Sequence, residues 1–154
     1  MGTGHAVEAW VEERRDWFFD LIRIYLGVGL VIKGVYFIQN TEYLTSLVEE
    51  SGNLWFIPAA VAHYVIGAHL IGGLFLAIGF LTRLGALVQL PALIGAVFWV
   101  HLPGVLSVGP RQSLEFSALV LFLLLLVLVR GAGPLSLDAR MAGSVPAGGG
   151  SGGR

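Results

Sequence analysis

The sequence predicts an all-α fold: a transmembrane four-helix bundle with an interfacial helix between the first and second spans. Three observations carry this prediction. Of the 154 residues, 56% are hydrophobic and only 12% charged, whereas soluble domains hold about 45–50% apolar and about 25% charged residues. The mean hydropathy is +0.81. The apolar residues fall in four runs, each close to the roughly 20 residues that a helix needs to cross a bilayer. An ordinary water-soluble enzyme is thereby excluded, and the first partner expected is the lipid bilayer.

The first span is expected over residues 17–38 and carries Asp20, Arg23 and Lys33. Residues 1–16, with Glu8, Arg14, Arg15 and Asp16 around Trp10 and Val11, are too polar to span and read as a cytoplasmic surface segment containing a short helix. Its acidic start, and the charges inside the apolar run that follows, argue against a cleaved signal peptide. In the connection to the second span, Tyr43, Leu44, Leu47 and Val48 fall at helical spacing opposite Glu42, Glu49 and Glu50, which gives the interfacial helix. The second span, residues 59–80, holds His63 and His69, and the tight turn of Leu81, Thr82 and Arg83 leads into the third.

The third span, residues 84–102, carries Gln89, Pro91 and His101. Pro91 has no amide hydrogen and is expected to kink the helix. A loop at 103–112 precedes a fourth span over 113–129, whose only acid is Glu115. The bundle domain is therefore placed at residues 17–141, and the Gly- and Ser-rich residues 142–154 are expected to be a disordered tail.

Arginine distribution sets the orientation. With four spans, the termini and the Arg83 turn share one side, which collects Arg14, Arg15, Arg83, Arg130, Arg140 and Arg154 against Arg111 alone on the other. Positive residues favour the cytoplasm, so both termini are expected inside a prokaryotic cell membrane. Between the helices, small residues allow close backbone approach. Gly27, Gly29 and Gly34 supply them in the first span, Gly67, Gly72, Gly73 and Gly79 in the second, and Gly85, Ala92 and Gly95 in the third.

A net charge of −1 without basic runs sets nucleic acid aside. The chain has no cysteine, which excludes thiolate metal sites, iron–sulfur clusters and CxxC redox pairs within it. Any electron chemistry must use a borrowed group. Haem and metal are not expected either, because no spacing fixes an axial pair of histidines and carboxylates to orient them are few.

Ionisable side chains at membrane depth are expensive and mark candidate sites. Toward the outer face lie Lys33, His63, His101 and Glu115, with His69 near mid-span. A cation, an acid and histidines from four helices suit the polar head of a quinone, with Lys33 or an imidazole donating to a carbonyl and Glu115 moving protons. The alternative is that Lys33 and Glu115 neutralise one another while His63 and His101 bond to water or backbone. His63 and His69 are six residues apart, about 120° around a helix, and cannot both aim at one ligand. Toward the inner face, Asp20 and Arg23 are three apart and can pair on one helix face, with Gln89 as a further partner.

Three segments resemble the DoxX family of small four-helix bacterial and archaeal membrane proteins. They are RIYLGVGLVIKG (residues 23–34), HLIGGLFLAIGFLTRLGAL (69–87) and GAGPLSLDAR (131–140). The resemblance implies association with membrane redox chemistry, since the name-giving relatives are subunits of a thiosulfate:quinone oxidoreductase or terminal quinol oxidase, and others join oxidative-stress complexes. The family usually has a glutamate where this chain has His69, and a lysine where it has Phe37, Lys33 instead preceding Gly34. In the last segment, Ser136 and Asp138 suit a turn or cap, with Asp138 paired to Arg83 or Arg140.

Three functions compete on these grounds. The first is an accessory or quinone-facing subunit of a membrane oxidoreductase whose redox centre sits on a partner, whether or not this chain is itself catalytic. The second is a purely structural subunit of a larger assembly, and self-association into an oligomer is compatible with either. The third is a small proton-coupled transporter, which would need a lone acid deep in a helix that this chain does not offer.

Overall fold

A computed structural model describes residues 3–50, 58–102 and 111–143. The proposed tail beyond 143 and most of the 103–112 loop lie outside the described residues. Four helices are long and apolar enough to cross a membrane: Arg14–Gln39, Ala60–Ile78, Thr82–His101 and Ser113–Arg130. No strand occurs among the described residues, and each span lies within about three residues of its expected bounds.

The first helix runs unbroken over Thr3–Gln39. The charged segment expected to form its own surface helix is thus continuous with the first span: it contains no proline, and its one internal glycine, Gly4, falls in the first turn, so no breaker separates the two. The connecting helix Thr41–Glu50 follows after one turn residue and buries Leu44 and Val48. Leu44 meets Phe37 and Ala62 in a small apolar cluster, which ties the connection to the first two spans.

The second and third spans each contain a π-helical turn. One covers Ala68–Gly72 and the other Ala96–His101. Pro91 stays inside the helix Thr82–Gly95, and the irregular segment begins one turn later. The Tyr64 hydroxyl of the second span donates to the Val88 carbonyl at 2.6 Å, supporting the turn that precedes the proline.

The core joins all four spans. Leu26 and Leu30, Leu76, Ala86 and Leu93, and Val120, Leu124 and Val127 form one buried cluster. The fourth span contributes a single stripe at intervals of four and three residues, while Phe116, Leu119, Phe122 and Leu125 face outward, as a lipid-facing helix requires. Backbone approach is closest at Gly27 of the first span, where a Cβ would meet the Ala77 backbone, and is close again at adjacent glycines of the second span. A Cβ on Gly73 would lie 3.0 Å from the Gly27 carbonyl and the Val31 amide of the first span, and one on Gly72 would lie 3.0 Å from the Gly85 carbonyl of the third. Successive residues are about 100° apart around a helix, so the Gly-Gly pair seats two neighbours at once. Gly29 and Gly67 have nothing within 4 Å and do not mark helix contacts.

Candidate functional site

Polar side chains gather at two levels of the bundle. At the first, Lys33 and Phe37 are one turn apart on the first span, which places them on a common face. The Lys33 ammonium lies 4.9 Å from the Phe37 ring centroid and 5.0 Å from that of Tyr36. Phe37 in turn meets the His69 ring edge-on, with centroids 5.5 Å apart. His69 is only 6% exposed and stands in the first π turn, a distortion that frequently accompanies functional positions.

The His69 Nδ1 lies 2.8 Å from the Val65 carbonyl. A carbonyl only accepts, so Nδ1 carries the proton and Nε2 is left as an acceptor. His101 closes the second π turn and is half-buried. Lys33 and His69 are therefore brought together across the Phe37 ring, while His101 stands in the other π turn. His63 lies exposed on its helix, and Glu115 is exposed on the fourth span.

Gln89 belongs to the middle of the bundle and not to the Asp20 and Arg23 pair. Its amide nitrogen donates to the Ala68 carbonyl at 2.8 Å, bridging the third span to the first π turn. The side chain is fully buried, and its Oε1 has no hydrogen-bond partner among the described residues.

At the second level, near the termini, Asp20 and Arg23 pair as the spacing predicts. Both are buried, and one carboxylate oxygen accepts from Arg23 Nε at 3.1 Å and Nη2 at 2.9 Å. The other oxygen accepts the Leu135 amide at 2.7 Å. Arg23 Nη1 donates to the Leu76 and Ala77 carbonyls at the end of the second span. A Cβ on Gly133 would come within 2.6 Å of the Asp20 carboxyl, so only glycine lets the chain after the fourth span fold onto this pair.

The same segment locks the turn between the second and third spans. Gly79, at φ +71°, ends one helix, and Leu81, at φ +45°, precedes the next. Asp138 accepts the amides of Leu81 and Thr82 at 2.8 and 2.9 Å and the Thr82 hydroxyl at 2.9 Å, while its own amide donates to the Gly79 carbonyl. The expected pairing of Asp138 with Arg83 or Arg140 is thus replaced by backbone capping, because the start of the third span presents unsatisfied donors at closer range. Burial opposes ionisation of Asp138, but the hydrogen bonds from Thr82 and Leu81 and the charge of Arg23 outweigh it and hold the carboxyl below the usual aspartate range. Ser136 caps the short helix Leu137–Gly143 through its hydroxyl, which accepts the Ala139 amide.

Two cavities flank this end. One of about 250 Å³ is lined by Asp16, Phe19, Asp20, Arg23 and Arg130 with the 131–134 backbone. Arg130 pairs with Asp16 and stacks over Phe19 at 4.0 Å. The second, a more open groove, runs between the start of the third span and the end of the fourth. Sequence reading missed Phe37, although its spacing of four from Lys33 announces a shared face, and missed the Asp16–Arg130 contact, which links residues far apart in the chain.

A family model described as DoxX matches residues 18–102. The match covers the first three spans, Lys33, His63, His69 and His101, and stops before Glu115 and the 131–140 segment. Comparison with the curated proteins and with the solved structures finds no match.

Proposed function

The chain belongs to the DoxX family, and from that premise we propose that this multi-pass membrane protein is the integral subunit of a quinone-linked oxidoreductase complex, with the redox centre on a partner. The observation that carries the reading is the line of Lys33, Phe37 and His69, in which a cation and a buried imidazole from two helices meet across an aromatic ring. A quinone, when bound, supplies the electron-carrying chemistry that a cysteine-free chain without a nucleotide fingerprint does not. Lys33 would donate to one of its carbonyls, His69 would hydrogen-bond its other polar end, and Tyr36 and Phe37 would pack against its flat ring. In this reading His101, at the end of the second π turn, joins His63 and Glu115 at the rim. Lys33 is exposed on the outer surface of the bundle, so a lipid-soluble ligand reaches it sideways from the membrane.

The arginine bias supports an orientation with the termini, the Asp138 clasp and both cavities on the cytoplasmic side, in a prokaryotic inner membrane on this reading. The helix Thr41–Glu50 then lies at the outer interface. The test is gentle purification from native membranes, identification of co-purifying proteins by mass spectrometry, and extraction of bound quinone. A stoichiometric redox partner together with quinone, the latter depleted about tenfold by Lys33→Ala with His69→Ala, is the expected result. Monodisperse protein with neither overturns the proposal in favour of a structural subunit, and proton-coupled flux in proteoliposomes would favour a transporter.

A further inference from the structure

The open groove at the termini end has a volume of about 540 Å³ and is lined by Thr82, Arg83, Leu84, Arg130, Gly131 and Ala132, with Asp138 at its edge. Two guanidinium groups therefore border one concavity. Their situations differ. Arg130 is occupied by Asp16 and by the Phe19 ring. Arg83 is exposed, makes one long contact of 3.4 Å to the Val129 carbonyl, and pairs with no carboxylate among the described residues. The nearby Asp138 does not neutralise it, because both carboxylate oxygens are turned to Leu81 and Thr82.

Arg83 is nonetheless held in place. Gly131, at φ +83°, ends the fourth span, and a Cβ there would stand 3.0 Å from Arg83 Nε. The guanidinium rests against bare backbone, and apart from the Val129 contact its donors have no protein partner among the described residues. The groove lies where the third span begins and the fourth ends, which is the depth of lipid headgroups. Leu84 and Leu87, spaced one turn apart on the third span, and Val129 on the fourth are exposed apolar side chains just inside it.

We propose that this groove is a binding site for an anionic phospholipid, with Arg83 forking onto the phosphate, Arg130 adding positive charge from the opposite wall, and Leu84, Leu87 and Val129 covering the first part of an acyl chain. A fixed guanidinium with unspent donors matches phosphate bidentately, and the adjoining apolar wall selects an amphiphile over the free anion. The site is distinct from the Lys33 and His69 level and stands whether or not quinone binds there.

The full chain, delipidated in neutral detergent, is tested by native mass spectrometry and by thermal unfolding with phosphatidylglycerol, phosphatidylcholine or inorganic phosphate. One retained phosphatidylglycerol per chain is expected, weakened about tenfold by Arg83→Gln, as loss of a charge-assisted hydrogen bond predicts. Arg83→Lys, which keeps the charge and loses the fork, weakens it several-fold, and Arg140→Gln, which removes an exposed arginine outside the groove, leaves it unchanged. Should Arg83→Gln fail to fold, Arg83→Lys decides, and wild-type retention in that variant overturns the proposal. Equal losses in Arg83→Gln and Arg140→Gln would show diffuse charge attraction and overturn it as well. Protection by inorganic phosphate equal to that by phosphatidylglycerol, or equal retention of phosphatidylcholine, overturns the anionic lipid as ligand.

Discussion

Asp20, Arg23 and Asp138 are single residues on which the packing of the termini end depends. Removing one member of a buried pair strands the other charge and destabilises by about 3–5 kcal/mol. Asp20→Ala is therefore expected to lower the thermal midpoint in detergent far more than Asp16→Ala, whose partner Arg130 is 38% exposed, and circular dichroism melting checks the difference. Asp138→Ala removes three hydrogen bonds at a helix start and is expected to destabilise by about 1–2 kcal/mol. The Asp138 carboxyl is held low in the folded chain, so its contribution is complete above the unfolded aspartate value of about 3.9 and declines as the pH falls through the lower folded value. Melts between pH 5 and pH 2 should show this decline in the wild type and a shallower one in Asp138→Asn. The Asp20 and Arg23 pair was legible in the sequence because a spacing of three fixes both depth and direction on one helix. The partners of Asp138 were not, since they are backbone amides 56 and 57 residues away, and a backbone donor leaves no mark in composition.

Among elements, the four spans were readable from hydrophobicity alone, but how they meet was not. Hydrophobicity reports depth along a helix and says little about angle around it. Thus Lys33 and His69 meet across Phe37, while His63 and Glu115, at comparable depth, take no part in that line and lie exposed on their helices. The π turns at Ala68–Gly72 and Ala96–His101 rotate everything beyond them, and no residue type announces them. Glycine contacts follow the same logic. Gly27→Ala drives a methyl onto the Ala77 backbone and is expected to destabilise by about 1–3 kcal/mol. Gly29→Ala meets nothing within 4 Å and should leave the melting midpoint unchanged or raise it slightly, by the helix propensity of alanine. Tryptophan fluorescence during thermal unfolding of the two variants separates them.

For the whole molecule, topology makes a prediction independent of chemistry. An even number of spans puts the first helix start, the Arg83 turn and the Leu137–Gly143 helix at one end, where Asp16, Asp20 and Asp138 join them. The native chain contains no cysteine, so single replacements report sidedness without background. Arg140→Cys is expected to react with a membrane-impermeant maleimide only after permeabilisation, and Glu50→Cys in intact spheroplasts. The reverse pattern would invert the orientation while leaving the fold as described.

The neighbouring glycines 72 and 73 give the bundle a mechanical property. Each packs tightly against a different helix, where a methyl group would force the neighbour to give way, so the second span works as a close-fitting spacer. The contact to the first span at Gly27 and the contact to the third at Gly85 are one peptide unit apart. The π turn that ends at Gly72 also carries His69 and accepts the Gln89 amide. The backbone that separates the first span from the third is thus the same backbone that holds the imidazole.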